Sequence, residues 1–128
     1  MKHLLDVNAL VAALWAGHVH HARLHKWLAG LPATDTVLTC GLTELGFLRV
    51  INAAYGVPLG EAKAALRAFR QRGNLGYLEA APSPLDALPA WARSHKQMTD
   101  AYLVGLAEHH GAKLVTFDRA IPGASLLG

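Results

Sequence analysis

The stretch HLLDVNAL, residues 3–10, decides the fold, because an apolar run stops at an aspartate and then resumes behind it. Residues 3–6 have the character of a short buried strand, and the apolar residues after Asn8 suffice for a short helix that ends near Gly17. Asp6 therefore stands where a strand passes into a helix. It either caps that helix or belongs to a functional site, and the rest of the chain has to decide between the two.

The same change from strand to helix recurs along the chain. Further strand-like stretches are TVLT (36–39), GYLEA (76–80) and KLVTF (113–117), with SLL (125–127) as a candidate edge strand. Helical patterns lie between them, at 20–30, 41–54, 59–73 and 99–111, the last capped by Thr99. Residues 81–98 form a Pro-rich loop with a short helix inside it. Strands separated by helices form parallel sheets through right-handed crossovers, so the sequence predicts a three-layer α/β/α fold with a central parallel sheet.

Composition indicates one folded domain, residues 1–128. Hydrophobic residues make up 52% and charged residues 16%, which is enough apolar material for a covered core and for a partner surface. No apolar run reaches the roughly 18 residues that span a bilayer, and the N-terminus lacks the features of a signal peptide, so we expect a cytoplasmic protein without a membrane segment. Cys40 is the single cysteine and fits a reducing compartment, and a net charge of +3 is compatible with a polyanionic partner.

Three aspartates fall at positions where parallel sheets bind ligands, beyond the carboxyl ends of the strands. Asp6 ends the first predicted strand, Asp118 ends the last long one, and Asp100 lies in the first turn of a helix beside Thr99. Each also has a purely structural interpretation. Asp6 could cap a helix, Asp100 could favour the helix dipole, and Asp118 could start a turn.

Glu44 is harder to explain structurally. Its neighbours at helical spacing are Phe47, Leu48 and Ile51, so its carboxylate lies on the apolar side of the predicted helix. A carboxylate in such surroundings needs a partner that offsets its desolvation.

The four acids would repel one another if the fold gathered them. Two carboxylates ~4 Å apart at an effective dielectric near 20 repel by about 4 kcal/mol, a large part of the net stability of a small domain. Shared protons or a divalent cation could neutralise them. A cluster of oxygen ligands favours Mg²⁺ or Mn²⁺ over zinc.

Four segments that carry these acids, LLDVNAL, LTELGFLRV, MTDAYLVGLA and LVTFDRAI, resemble the PIN-domain nucleases in their order and spacing, and in particular the VapC toxins. The resemblance spans essentially the whole chain. It implies a toxin of a type II toxin–antitoxin system that cleaves an RNA endonucleolytically with a metal ion, forms a homodimer and is inhibited by a small VapB-like antitoxin. The acidic site that it implies consists of Asp6, Glu44, Asp100 and Asp118, with Asn8 and Thr116 as accessory polar groups.

The chemistry suits this set of residues. We expect Asp6, Asp100 and Asp118 to hold one or two Mg²⁺ or Mn²⁺ ions, while Glu44 binds a second ion or orients the attacking water. A metal ion lowers the pKa of water, and the hydroxide attacks the phosphodiester. Members of this family commonly cleave a tRNA or a loop of ribosomal RNA, which makes those RNAs the expected substrates.

Basic residues on two of the predicted helices are further candidates for a functional role. Lys63, Arg67 and Arg70 form a stripe on one predicted helix that is either a solvated face or a contact with RNA phosphates. Arg49 lies on a different helical face from Glu44 and resembles an arginine common in this family, for which we predict a supporting or substrate-binding role.

The His-rich segment 18–25 contains His21 and His25 at a spacing that can bind zinc on a helix. No glutamate lies between them as in HExxH metalloproteases, and we interpret the segment as a solvated helix face. The three tryptophans are interpreted as packing residues or as part of a dimer or antitoxin surface; they are Trp15, Trp27 and Trp91.

Two other functions compete with a nuclease. A phosphohydrolase of the haloacid dehalogenase type also has an aspartate after its first strand, but it requires a second one at the position that Asn8 occupies here. A non-catalytic module that keeps the PIN fold and binds RNA or protein is the other alternative, and the complete set of acids argues against it.

Overall fold

In the computed structural model, five parallel strands form one sheet: β1 (Lys2–Leu5), β2 (Thr36–Cys40), β3 (Leu75–Leu78), β4 (Ala112–Thr116) and β5 (Ser125–Leu126). The structure describes residues 1–79 and 81–127. The strand order is β3-β2-β1-β4-β5, and every neighbouring pair is parallel. Leu4 of β1 lies opposite Leu38 of β2 and Leu114 of β4. The predicted parallel sheet is confirmed.

The helices connect these strands in turn. Those before β3 are α1 (Val7–Leu14), α2 (His21–Gly30), α3 (Gly41–Tyr55) and α4 (Leu59–Arg70). Those between β3 and β4 are α5 (Pro84–Ala87) and α6 (Met98–His109), the latter preceded by a 3₁₀ turn (His95–Gln97). None of the helices within the described residues is long and apolar enough to cross a membrane.

Two hydrophobic cores cover the two faces of the sheet. The first is built by α1 to α4 and contains Phe47 and Leu24 together with Leu5 of β1. The second joins Leu103 of α6 to Leu4 of β1. Neighbouring residues of a strand point to opposite faces, so Leu4 and Leu5 serve different cores, and both are fully buried. This three-layer arrangement explains why the opening stretch is apolar without alternation.

The chain changes direction across the sheet at β1. Strands β2 and β3 extend the sheet on one side of β1, whereas β4 and β5 extend it on the other. Open α/β sheets bind ligands at such a switch point, outside the carboxyl ends of the strands. Asp6 follows β1 directly, and Asp118 follows β4 after Phe117. The topology thus brings two of the predicted site residues from opposite ends of the chain to one place.

The sequence misplaces several element boundaries; α1 and α4, for example, end at Leu14 and Arg70 rather than near Gly17 and at Gly73. Thr99 does not cap α6, because the helix already begins at Met98 with Gln97 as its N-cap residue. The reason is a reciprocal pair of hydrogen bonds between Ser94 and Gln97, which forms the 3₁₀ turn that runs directly into α6. The third strand was predicted over 76–80 and is observed at Leu75–Leu78, and Ala80 lies outside the described residues.

Candidate active site

Asp6 serves as the N-cap of α1 and stands at the carboxyl end of β1. Its Oδ1 accepts a hydrogen bond from the backbone N–H of Ala9 at 2.7 Å. The residue is only 5% exposed. The two interpretations of the opening stretch are therefore compatible, because the cap fixes a buried carboxyl group at the sheet's switch point.

Thr116 connects Asp6 to Asp118. Its hydroxyl group donates a hydrogen bond to the carboxylate of Asp6 and accepts one from the backbone N–H of Asp118 at 2.9 Å. The Oδ1 atom of Asp118 in turn accepts the N–H of Ala120 at 2.8 Å. Thr116 is fully buried at the last position of β4. The predicted accessory residue thus holds two of the acids in a defined arrangement.

The three aspartates Asp6, Asp100 and Asp118 influence one another electrostatically. Burial, together with the smaller effect of the charges of Asp100 and Asp118, raises the pKa of Asp6 to about 6 against the opposing hydrogen bonds from Thr116 and Ala9. Burial also raises the pKa of Asp100, with a contribution from the charge of Asp118. Asp100 lies in the first turn of α6 and is half-buried. These three aspartates, called the aspartate cluster below, form one electrostatic unit.

Glu44 has partners of its own. Its Oε2 accepts a hydrogen bond from the hydroxyl group of Thr39 at 2.7 Å and lies 3.5 Å from Nε of Arg70. Its side chain is 15% exposed, as expected for a carboxylate on the inner side of α3. Sequence reasoning missed Thr39, although that residue lies near the carboxyl end of β2, the strand beside β1, and therefore at the same edge of the sheet.

Asn8 is directed towards the His-rich segment. The Nδ1 atom of His18 accepts the backbone N–H of His20 at 3.0 Å, so Nε2 of His18 carries the hydrogen donated to Oδ1 of Asn8 at 3.0 Å. Burial lowers the pKa of His18, with contributions from His20 and His21. Asn8 is exposed in the first turn of α1, close to Asp6 in the chain.

Arg49 lies on a different side of α3 from Glu44. It borders a cavity of about 400 Å³ that is lined mainly by apolar side chains of α3, among them Leu42, Leu45 and Val50. Thr99 also lines this cavity, next to Asp100 in the chain. Arg49 therefore lies on the helix that carries Glu44 and near the segment that carries Asp100.

His21 and His25, whose spacing could suit a zinc site, contact the C-terminal turn of α1 instead. His21 Nδ1 and His25 Nε2 lie 2.7 Å from the carbonyl oxygens of Ala12 and Ala13, respectively. These carbonyls belong to the last turn of α1, where backbone acceptors have no partner within the helix. The interpretation as a solvated helix face is wrong for these two residues. Nδ1 of His21 and Nε2 of His25, which contact the carbonyls, are not free to bind zinc.

The aspartate cluster fits a hard divalent cation. No lysine or arginine of residues 1–79 and 81–127 forms an ion pair with any of the three carboxylates. Nor do three His, Cys, Asp or Glu side chains of the described chain come close enough together to enclose an ion. Mg²⁺ keeps several waters and uses only one or two carboxylates from a protein, so an open set of oxygen donors suits it. Burial, with contributions from the charges of Asp100 and Asp118, raises the pKa of Asp6, so a bound cation would stabilise the charged form of its carboxyl group.

Comparison with known proteins places the chain in a family. Residues 3–125 match the PIN domain family. Ribonuclease VapC38 of Mycobacterium tuberculosis is 40% identical over 122 residues, covering 92% of this chain and 86% of the relative. Ribonuclease VapC44 of the same species is 37% identical, covering 98% of this chain and 95% of the relative.

Solved structures show the same fold. M. tuberculosis VapC20, described as a Sarcin-Ricin loop cleaving toxin, superimposes with a TM-score of 0.69 at 18% identity and covers 93% of this chain and 92% of its own. VapBC2 of Rickettsia felis, bound to a promoter DNA fragment, gives 0.69 at 14% identity and covers 98% and 97%. The predicted fold and the sequence resemblance are both confirmed: the chain belongs to the PIN domain family and, within it, to the VapC proteins.

Proposed function

We propose that this chain is the toxin of a toxin–antitoxin pair and cleaves RNA as a Mg²⁺- or Mn²⁺-dependent endoribonuclease in the cytoplasm. The aspartate cluster carries the proposal, because three interacting carboxylates that pair with no lysine or arginine of the described residues lie near the sheet's switch point. Curated relatives that cover most of the chain are named ribonucleases, which supports the activity.

Each residue has a role in this proposal. Asp6, Asp100 and Asp118 would hold the cation directly or through its water ligands, and the bound cation would supply Lewis acidity and lower the pKa of a water molecule. Thr116 fixes Asp6 relative to Asp118. Glu44, oriented by Thr39, either orients the attacking water or binds a second ion.

Asp100→Asn tests this proposal most directly. We expect the change to reduce cleavage of single-stranded RNA by at least about 100-fold, because it removes a preorganised charge at the reacting centre. Asp86→Asn is the matched control, since Asp86 is an exposed aspartate on α5. Both proteins are assayed with Mg²⁺, with Mn²⁺ and with EDTA. Cleavage that survives EDTA, or full activity of Asp100→Asn, would contradict the mechanism, and RNA binding without any cleavage would favour the non-catalytic module.

The substrate that we propose is a tRNA or a ribosomal RNA. One solved structural neighbour is described as cleaving the Sarcin-Ricin loop, which supports a structured RNA as the target class. Expression of the intact chain and of Asp6→Asn in a bacterium, followed by sequencing of new RNA 5′ ends, tests this. One discrete cleavage site that is absent with the variant is the expected result, and dispersed cleavage of messenger RNA would overturn the assignment.

The basic stripe of α4 is proposed to contact the RNA backbone. Lys63, Arg67 and Arg70 line one cavity of about 460 Å³ together with Glu44. Lys63 and Arg67 form no ion pair with any carboxylate of the described residues. Unpaired cations beside a candidate catalytic acid are suited to phosphate oxygens.

An antitoxin and a second copy of the chain are the proposed protein partners. The antitoxin is supported by solved VapBC assemblies of Rickettsia felis and Haemophilus influenzae with the same fold.

For the homodimer we propose the exposed apolar side of α3, where Leu45 is 56% exposed and Leu42 and Val50 are each 37% exposed. This surface continues to Thr99, beside the aspartate cluster. Light scattering of the purified chain should show a dimer that Leu45→Glu converts to a monomer, and a monomeric intact chain would exclude self-association.

A further inference from the structure

The cavity between α3 and α4 contains more positive than negative charge. It has a floor that includes Leu48 and Leu66 and a rim that includes the three cations of the basic stripe. Among the described residues that line it, Glu44 is the only one with a carboxylate. The cavity therefore carries a net positive charge and shares one wall with the candidate active site.

Arg70 is held loosely in this cavity. Its ion pair with Glu44 is a single contact of 3.5 Å through Nε, and its side chain is 42% exposed. One long contact to a half-exposed arginine contributes little free energy. Its guanidinium carbon lies 4.4 Å from the ring centroid of Tyr77, which is itself 36% exposed. Stacking on Tyr77 keeps the guanidinium in place without using its N–H donors.

We propose that this cavity is a subsite for a phosphodiester of the RNA backbone, and that Arg70 leaves Glu44 to bind that phosphate. The inference rests on the proposed function, since it assigns a backbone position of the same substrate. A phosphate offers Arg70 two parallel charge-assisted hydrogen bonds, whereas Glu44 offers one long contact. Lys63 and Arg67, which have no carboxylate partner within the described chain, complete the charge of the subsite.

The movement of Arg70 from Glu44 to the phosphate links RNA binding to how far the negative charge of Glu44 is neutralised. Before RNA binds, the charge of Glu44 is partly neutralised by Arg70. After the exchange, Glu44 keeps its hydrogen bond from Thr39 and presents its full negative charge to the neighbouring site. Arg70 is thus a positioning residue that makes Glu44 available when substrate is present.

A double-mutant cycle in RNA binding tests the exchange without cleavage. Affinity for a fluorescently labelled single-stranded oligoribonucleotide is measured in EDTA for the intact chain, Glu44→Gln, Arg70→Gln and the double variant. We expect Glu44→Gln to tighten binding by roughly two- to fivefold, because Arg70 no longer has to leave a carboxylate. We expect the same change to alter the affinity by less than about 1.5-fold in the Arg70→Gln background.

Two controls separate the exchange from general charge effects. Arg23→Gln removes the same charge from an exposed position of α2 and should weaken binding less than Arg70→Gln does. Thermal unfolding shows whether each variant is folded. Equal tightening by Glu44→Gln in both backgrounds would overturn the proposal, because it would reflect only the loss of a repulsive charge. Cleavage by the intact chain is assayed separately, so the subsite can fail while the nuclease assignment stands.

Discussion

Asp6 is both the N-cap residue of α1 and a carboxyl group whose pKa is raised. The hydrogen bond from Ala9 N–H and the one from Thr116 both favour its charged form, yet burial outweighs them and raises its pKa to about 6. Asparagine can also cap a helix. Replacing Asp6 by asparagine therefore keeps a residue that can cap the helix and removes the negative charge.

Asp6→Asn is expected to stabilise the fold near neutral pH. Neutral Asp6 contributes stability that is complete below its unfolded pKa of 3.8 and is lost as pH rises through about 6, because the folded chain binds this proton more tightly. A shift from 3.8 to about 6 corresponds to about 3 kcal/mol, which is the upper bound of the gain. Chemical denaturation of both proteins at about pH 4 and at about pH 8 measures it.

The pH dependence identifies the cause of that gain. The difference between Asp6→Asn and the intact chain should disappear at the lower pH, whereas Asp86→Asn should show no such dependence. Added Mg²⁺ should stabilise the intact chain at the higher pH and have less effect on the variant. A gain that is equal at both pH values would show that burial of the charge is not its origin.

Helix α1 is fixed at both ends by side chains. Asp6 caps its N-terminus, and His21 and His25 lie against the carbonyls of Ala12 and Ala13 near its C-terminus. A helix of 8 residues is marginal on its own, so these contacts and its buried side determine its position. The cap on Asp6 is thereby held in register with β4 and Thr116.

His25→Ala is expected to lower the free energy of unfolding by about 1–3 kcal/mol, since the change leaves the partly buried carbonyl of Ala13 without its protein partner. His95→Ala is the control, because His95 lies exposed in the 3₁₀ turn. Zn²⁺ should not raise the melting temperature of the intact chain. A clear rise with Zn²⁺ that His25→Ala abolishes would restore the zinc interpretation.

Gly46 sets the distance between α1 and α3. A Cβ atom there would meet Cγ2 of Val7 well inside contact distance and Cγ1 at 3.1 Å. Val7 is the residue after Asp6, so a displaced α3 disturbs the spacing between Asp6 and Glu44. We expect Gly46→Ala to cost about 1–3 kcal/mol of stability and to lower the rate of RNA cleavage.

Gly60→Ala is the control for Gly46→Ala. Nothing lies within 4 Å of a Cβ atom at Gly60, which is in the first turn of α4. That substitution should be neutral or stabilising by up to about 1 kcal/mol. Val7→Ala removes the side chain that would clash, so it should recover part of the stability and cleavage rate lost in Gly46→Ala. A Gly46→Ala protein with unchanged stability and cleavage rate would show that α1 and α3 can separate without consequence.

At the scale of the whole molecule, local sequence patterns predict the order of elements and the aspartate cluster. Asp6 and Asp118 are recognisable because each follows an apolar strand, and parallel strands end at one edge. The pairing of Glu44 with Arg70 depends on how α3 packs against α4, which no local pattern contains. The contacts of His21 and His25 with α1 likewise arise from tertiary packing, whereas their spacing is only compatible with a metal site and the local pattern predicts a solvated helix face.

The overall charge distribution predicts how RNA affinity depends on salt. Replacing Lys63, Arg67 and Arg70 together by Ala should raise the KM for RNA and reduce the slope of log affinity against log salt by at least about 0.7 for single-stranded RNA, because the phosphodiester in the subsite loses its cationic partners. Fluorescence anisotropy in EDTA measures the slope. A triple variant with an unchanged KM and slope would assign the stripe to a solvated face.

The order of the strands has a consequence for synthesis on the ribosome. Strand β1 is synthesised well before its neighbour β4, and Asp118 follows β4. A nascent chain that has exposed Asp6, Glu44 and even Asp100 still lacks Thr116 and Asp118. The complete aspartate cluster therefore forms only once β4 has left the exit tunnel and inserted beside β1. A truncated product of interrupted translation that ends before β4 would be expected to be harmless to the RNA around it.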